Sequence, residues 1–488
     1  MRDKIFIGAG FLDSQLLWLL PLVKGYASKK NIKKIILHKK LSNRLKKHKI
    51  FNKILNDFHV QYIDDLSIFK RNRIIRYIFI LLVLLPKAFL LSFKISKKKL
   101  LDKNINWKEY QIYHSVWDTA VKESSDGVII PNYYRIVRAC LIAVHNQFEA
   151  KLSLKNNANH FFLGHTVYGY RAFLAEIRNS KNKIFCHSGF TIYKQFNKKD
   201  NSWCFLEQKV FKKLTKNVSD EDVNNYWKLR QAGKGNYEDS RIAAKIKNKN
   251  PSSIQNVIFL HIFRDSPFAD IDRTRIFEDY ISWINFTLEI IKQSNENWLL
   301  RLHPSYKRWG EDQNVTLNKI FLKKFGKKLP KNIKLEDNIN SNYEIFKKAK
   351  RVITFNGTSH LEAACFGIKP VIISNAMLNI FDQNLVIKPK TLESYKKILL
   401  ENSTSLKFKI SKKKSFLAKK IMFVREKALK FEKEVGGFHV FRGDPVSRLN
   451  LDYKQTNSKL EKNINFLSKN GVFLSKNNNI TLSKKFLK

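Results

Sequence analysis

The sequence predicts an α/β protein built from two doubly wound, Rossmann-like domains. Three observations carry that prediction. Short apolar, β-branched runs alternate with amphipathic segments from the first residues to beyond position 370. Several of the runs end in Gly, His or small polar residues, the loop chemistry found at strand ends in open parallel sheets. The stretch RVITFNGTSHLEAACFGIKPVIIS, residues 351–374, packs strand, loop, helix and strand together with the short connections that a parallel sheet uses.

The N-terminal domain is expected over residues 1–216. Lys4 to Ile7 reads as a strand ending in Gly8-Ala9-Gly10, Leu12 to Tyr26 as an apolar-periodic helix, and Ile32 to His38 and Phe58 to Ile63 as further strands. The glycine pair is an incomplete dinucleotide motif. It serves a tight strand-to-helix turn or leaves room for an acceptor to approach the backbone. A hydrophobic, basic-flanked insert at 73–100 interrupts the pattern, with the apolar run RIIRYIFILLVLLPKAFLLSF at 73–93 flanked by KRNR before and KISKKK after. Arg76, Pro86 and Lys87 fall inside, so an interfacial element held by apolar side chains and anionic headgroups is expected. A buried helix or hairpin and a transmembrane span are the alternatives.

The alternation resumes after Trp107, with a short strand at 126–130, a helix from Tyr133 to Leu152, a strand at 161–163 and a helix over 169–179. FFLGH and IFCHSG each place a histidine after a strand, His165 and His187. Imidazole titrates near neutrality, so either is a candidate base on an acceptor hydroxyl. Asp13 and Asp118 are carboxylate rivals for that role, and the sequence does not choose among them.

The polar, glycine-containing segment 217–250 reads as a linker, and 251–410 as the second domain. Its strands are expected at 257–263, 298–302, 333–337, 352–355 and 371–373, with helices over 277–294 and 343–349. The candidate ligand-binding residues lie after these strands: Asp265 and Ser266, then His303 and Pro304, then Asn356, Gly357, Thr358, Ser359 and Glu362. Ser359 and Glu362 have the spacing of a capping box, and Gly367 stands where a helix stops. The amides of Gly357, Thr358 and Ser359 would then offer a phosphate site at the helix N-terminus. Arg301 is a reserve cation. Past the domain, 411–449 is a C-terminal helix region, with the helix at 416–433, and 450–488 is a Lys- and Asn-rich tail.

Composition bounds the partners. The 488 residues are 43% hydrophobic, enough for two or three packed domains and against general disorder. The net charge of +51 is spread along the chain as Lys among Asn and Ile, a pattern that AT-rich codon usage also favours. It suits phosphorylated substrates and an anionic membrane surface. With no zinc-finger spacing, RNP motif or helix-turn-helix signal, no specific nucleic-acid partner is expected. The scattered Cys140, Cys186, Cys204 and Cys365 fit buried thiols in a reducing cytoplasm, and MRDKIFIGAGF lacks a signal-peptide core. A cytoplasmic protein, peripheral at the inner face of the membrane, is the expectation.

RLHPS, followed some fifty residues later by a strand and NGTS, resembles the donor domain of GT-B glycosyltransferases with cytidine-nucleotide donors. The fuller similarity, from HIFRDSP through the Trp283 helix and RLHPS to NGTSHLEAACFGIKPVI, is to the capsule and surface polysaccharide biosynthesis proteins. It covers residues 255–375 well and 164–194 loosely. The resemblance implies a GT-B-like fold, its two Rossmann-like domains facing each other across a cleft with a C-terminal crossing helix, a nucleotide-sugar donor, CMP-linked by preference, and a glycan or lipid-linked acceptor. No DxD pair stands at an obvious strand end, so no metal or other cofactor is expected. In the resemblance, His303 with Pro304 and the Asn356–Ser359 loop hold the nucleotide phosphate. The family often has adjacent serines where this chain has NGTS, which leaves the base of the donor open. A CDP-polyol phosphotransferase, a nucleotide-sugar epimerase, a noncatalytic export-binding protein and a nucleic-acid binder are the competing functions.

Overall fold

The computed structural model describes residues 3–8, 13–38, 55–63, 77–95, 101–102, 104–123, 131–164, 167–178, 181–187, 193–195, 212, 215–234, 256–265, 275–326, 329–337, 340–374, 378, 381–428, 473–474 and 480–481. Two sheets organise them, as expected.

The first sheet uses β1 (Lys4–Ile7), β2 (Lys34–His38), β3 (His59–Ile63), β4 (His160–Leu163), β5 (Lys183–His187) and β6 (Tyr193–Gln195), in the order β3-β2-β1-β4-β5-β6. All neighbours are parallel except β5 and β6. The chain winds one way from β1 to β3 and then returns to the other side of β1 with β4, so the topological switch point lies between β1 and β4. Helix α1 (Asp13–Lys30) follows β1. The apolar insert forms a helix, described from Tyr77, that passes through a π turn at Ile80–Leu84 and continues as α2 (Leu85–Lys94). Next come α3 (Trp107–Lys122) and α4 (Tyr133–Lys155), started by Asn106 and Asn132 side chains that accept amide hydrogen bonds. Helix α5 (Tyr170–Ile177) crosses α4 so closely that a Cβ on Gly169 would stand 2.5 Å from Ile142.

The second sheet is wholly parallel: β7 (Asn256–Phe259), β8 (Trp298–Arg301), β9 (Ile333–Glu336), β10 (Arg351–Thr354) and β11 (Val371–Ile372), in the order β11-β10-β7-β8-β9. Its switch point lies between β7 and β10. Period-two alternation divides its faces. Val257, Phe259 and Val352 join one apolar cluster with Ile345, Phe346 and Ala363, while Ile258, Leu260 and Ile353 join another. That second cluster also contains Val116, Trp117, Ala120 and Val121 of α3, so the two halves share apolar core. Each large side chain so buried contributes about 1.5–3 kcal/mol.

Between its strands lie, in chain order, α6 (Asp220–Gln231) before β7, α7 (Tyr280–Ile291), α8 (Gln313–Phe325), α9 (Asn342–Lys348) and α10 (Ser359–Cys365); α11 (Leu392–Leu400) and α12 (Lys412–Phe423) follow β11. Helix α6 lies within the segment read as a linker. Val223, Tyr226 and Arg230 recur on one helical face and are buried, Tyr226 against Phe423 with ring centroids 5.7 Å apart. Helix α12, expected to return across the cleft, packs on α6 and α10. In the tail, Phe473–Leu474 and Ile480–Thr481 pair as antiparallel β12 and β13.

Candidate functional site

The chain leaves the second sheet at three adjacent strand ends, after β8, β7 and β10. Strands in a sheet stand about 4.8 Å apart, so the outer two exits are about 10 Å apart, the span of a nucleotide's ribose and phosphate. After β7, Leu260 still donates to the Arg301 carbonyl at 2.9 Å. His261 is therefore off the strand, although the sequence reading placed the strand through residue 263 and gave this histidine no role. After β8 comes His303, its ring 6.0 Å from that of His261. His261 stacks on Tyr280 at 4.8 Å, and Tyr280 meets Phe355 edge-on at 4.6 Å, immediately before Asn356. Ring packing thus ties the three exits together.

Gln313, fully buried at the start of α8, fixes two of them. Its Nε2 donates to the His261 carbonyl at 2.8 Å, and its Oε1 accepts from the His303 amide at 2.9 Å. The Ser305 amide donates to His303 Nδ1 at 3.2 Å. That places the proton of the neutral ring on Nε2, a donor suited to a phosphate or ribose oxygen. Pro304 is half-buried in the turn that follows. Glu311, buried, accepts the Arg264 amide at 2.9 Å, and burial pushes its carboxyl above the usual range against the opposing Arg264 and Phe263 amides.

At the third exit the structure corrects the expectation in detail. Helix α10 has seven residues and its N-cap is Thr358, with no side-chain cap, so the Ser359–Glu362 capping box is absent. The Gly357 amide is used internally, donating to Thr354 Oγ1 at 3.2 Å. A Cβ at Gly357 would lie 2.9 Å from the same oxygen, which is why glycine stands there. Among the described residues, neither the Thr358 nor the Ser359 amide donates to a protein acceptor. Asn356, Gly357 and Thr358 are half-buried and Ser359 is buried. His360, buried, donates from Nδ1 to the Gly357 carbonyl at 2.5 Å. Burial drops its pKa to about 4, which keeps the ring neutral.

Two expected donor contacts are engaged elsewhere. Arg301 is 1% exposed and pairs with Glu336, its register partner on β9, while Nη2 donates to the Asn340 carbonyl at 2.8 Å. Its charge stabilises the turn after β9 and does not reach the rim. Glu362 is likewise held by Arg230 and by Asn342 Nδ2 at 3.1 Å. Arg230 also pairs with Glu426 at 2.7 Å. Burial alone would lower the Arg230 pKa, but the two carboxylates raise it above its ordinary value.

The other half reaches this rim through Tyr168, in the loop after β4 at the first sheet's switch point. Its backbone takes the left-handed conformation, φ 53°, and the Ser115 hydroxyl of α3 donates to its carbonyl at 2.5 Å. Tyr168 Oη donates to Asp265 at 2.7 Å, and the Lys122 ammonium sits 3.8 Å over the ring. Arg264 donates to the Lys122 carbonyl at 2.7 Å and to the Gly310 carbonyl at 2.7 Å. Buried Arg275 donates to the His114 ring at 3.0 Å. Asp265 therefore meets the half of the chain that holds the first sheet. Asp118 is fully buried 3.7 Å from Arg171 and cannot meet an acceptor hydroxyl. His165 and Ser266 lie outside the described residues, as do the side chains of His187 and Asp13. Among the described residues no three His, Cys, Asp or Glu side chains gather as a metal site.

No protein-family model matches the chain, and no curated protein matches it. Among solved structures it is similar to KpsC of Thermosulfurimonas dismutans, a beta Kdo 2,4 transferase, at 11% identity and TM-score 0.32 over 54% of this chain and 79% of that one. It is similar to the UDP-GlcNAc 2-epimerase of Methanocaldococcus jannaschii at 12% identity and TM-score 0.28, over 87% and 99% of the two chains. A glycosyltransferase of Rickettsia africae gives 10% identity and TM-score 0.23 over 94% and 100%.

Proposed function

We propose that the chain is a glycosyltransferase that moves a sugar from a nucleotide-activated donor, CMP-linked by preference, to a surface polysaccharide or lipid-linked glycan. One observation carries the reading. The exits of β7, β8 and β10 meet at the second sheet's switch point with His261, His303, and the Thr358 and Ser359 amides along them. Tyr168 brings the first sheet's switch-point loop to the same rim.

In the transfer, an acceptor hydroxyl attacks the anomeric carbon as the bond to the donor phosphate breaks, and the nucleotide leaves with the bonding electrons. His303 Nε2–H and the two amides meet the charge that grows on the leaving phosphate, in an arrangement already fixed by Gln313 and His360. The stacked His261–Tyr280 pair offers aromatic surface to the ribose or base. An acceptor would enter from the first domain, where His165 and His187 are the proposed bases. The order and spacing of RLHPS and NGTS support a nucleotide donor, and the likeness of RLHPS to the cytidine-nucleotide enzymes supports the cytidine preference. The protein would work in the cytoplasm, at the inner membrane face.

Melting temperature measured with CMP, CDP, UDP, GDP and ADP tests this, because a ligand bound to the native state alone raises it. A rise with cytidine nucleotides that disappears in His303→Ala is the expected result. A rise with UDP or GDP alone would replace the cytidine preference. No rise with any nucleotide would overturn the reading.

A further inference from the structure

The helix formed by Tyr77–Lys94 is long and apolar, with mean hydropathy 1.9, yet only 17% of it is buried. Its buried stripe, Leu84, Ala88 and Ser92, recurs every four residues, and the helix packs on α4. On the opposite side large apolar side chains face outward: Leu82 at 72% exposure, Leu90 at 64% and Phe93 at 76%, with Phe89 beside them. Tyr133 and Tyr134, exposed at the start of α4, extend this face. The Tyr133 ring lies 6.3 Å from that of Phe93, and its hydroxyl shares a hydrogen bond with Ser92 at 3.0 Å. Isolated exposed leucines need no explanation, but a contiguous face of this kind does.

We propose that this face docks on the surface of an anionic lipid bilayer, with the helix lying in the plane of the interface. The inference stands apart from the donor reading. Charge complementarity selects the occupant. Lys87 and Lys94, seven residues apart and both exposed, share one edge of the helix. The sequence from Lys70 to Lys99 holds Arg71, Arg73, Arg76, Lys97 and Lys98 and no Asp or Glu. A second copy seated two-fold on this face would bring like charges together, whereas anionic headgroups neutralise them. The tyrosines at the margin have the apolar body and polar tip that suit the headgroup level. Because one side of the helix is committed to α4, it lies on the bilayer and does not cross it.

Flotation of the full chain with phosphatidylcholine vesicles, with and without phosphatidylglycerol, tests the proposal. The chain is expected to float with the anionic vesicles. Leu82→Glu/Phe89→Glu/Phe93→Glu is expected to weaken that at least ~10-fold with an unchanged melting temperature. Lys87→Glu/Lys94→Glu, which leaves the apolar side chains in place, is expected to weaken it about tenfold. Absence of flotation, or flotation undiminished in the apolar triple variant, overturns the proposal. So does a dimer in sizing experiments that the triple variant converts to monomer while no vesicle is bound.

Discussion

Tyr168 Oη donates to the Asp265 carboxylate at 2.7 Å across 97 positions of sequence, joining the switch-point loop of one sheet to that of the other. A hydrogen bond to a charged acceptor contributes about 1.5–3 kcal/mol. Tyr168→Phe is therefore expected to lower the stability of the chain by about 1–2 kcal/mol, since the ring keeps its place under Lys122. A double-mutant cycle with Asp265→Asn should return a coupling near 1 kcal/mol. Additive single variants would show that the pair does not hold the halves together.

Gln313 is a positioning residue for both rim histidines. Gln313→Leu strands the His261 carbonyl and the His303 amide, at a cost of about 2–4 kcal/mol in chemical denaturation. Nucleotide affinity should weaken about tenfold in the fraction that remains folded. Unchanged affinity in a destabilised variant would separate the clamp from the binding site.

His360 makes the rim pH-sensitive. Its ring is held neutral in the folded chain, with a pKa of about 4 against 6.5 for the ordinary side chain. A depressed folded value means that the stabilisation is complete above pH 6.5 and is lost as pH falls toward 4. It amounts to on the order of 3 kcal/mol. His360→Asn keeps a donor near the Gly357 carbonyl but does not titrate. The melting-temperature difference between wild type and variant should shrink through that window. A constant difference would remove His360 as the cause.

Glu362 is structural. Arg230→Met leaves the buried Glu362 and Glu426 facing each other without their cation, and should cost about 3–5 kcal/mol. Glu362→Gln should lower stability yet leave nucleotide affinity within about twofold. A large loss of affinity would restore Glu362 to the donor site.

Most strands and both sheets were legible because their core runs are short, apolar and bounded by Gly, His or polar residues. Helix α3 is harder to read for a physical reason: Gln111, His114, Ser115, Asp118 and Thr119 are buried beside its apolar stripe of Tyr113, Val116, Trp117, Ala120 and Val121, so polar residues interrupt the pattern. Helix α6 was hidden by polar composition, although Val223, Tyr226 and Arg230 stand at helical spacing. The rim histidine His303 was visible as a strand-end motif, while His261 was hidden inside a run that looked wholly strand-like. Partner choice was the illegible part. Nothing near Arg301 or Glu362 in sequence announces Glu336, which a parallel register sets opposite the first, or Arg230, which a distant helix brings to the second.

The proposed donor site places a nucleotide phosphate at the exits of β7, β8 and β10. A crystal structure of the full chain with the nucleotide that raises its melting temperature most tests it directly. The phosphate is expected within hydrogen-bond distance of His303 Nε2 and of the Thr358 or Ser359 amide. A phosphate bound elsewhere, with these groups unengaged, would contradict it.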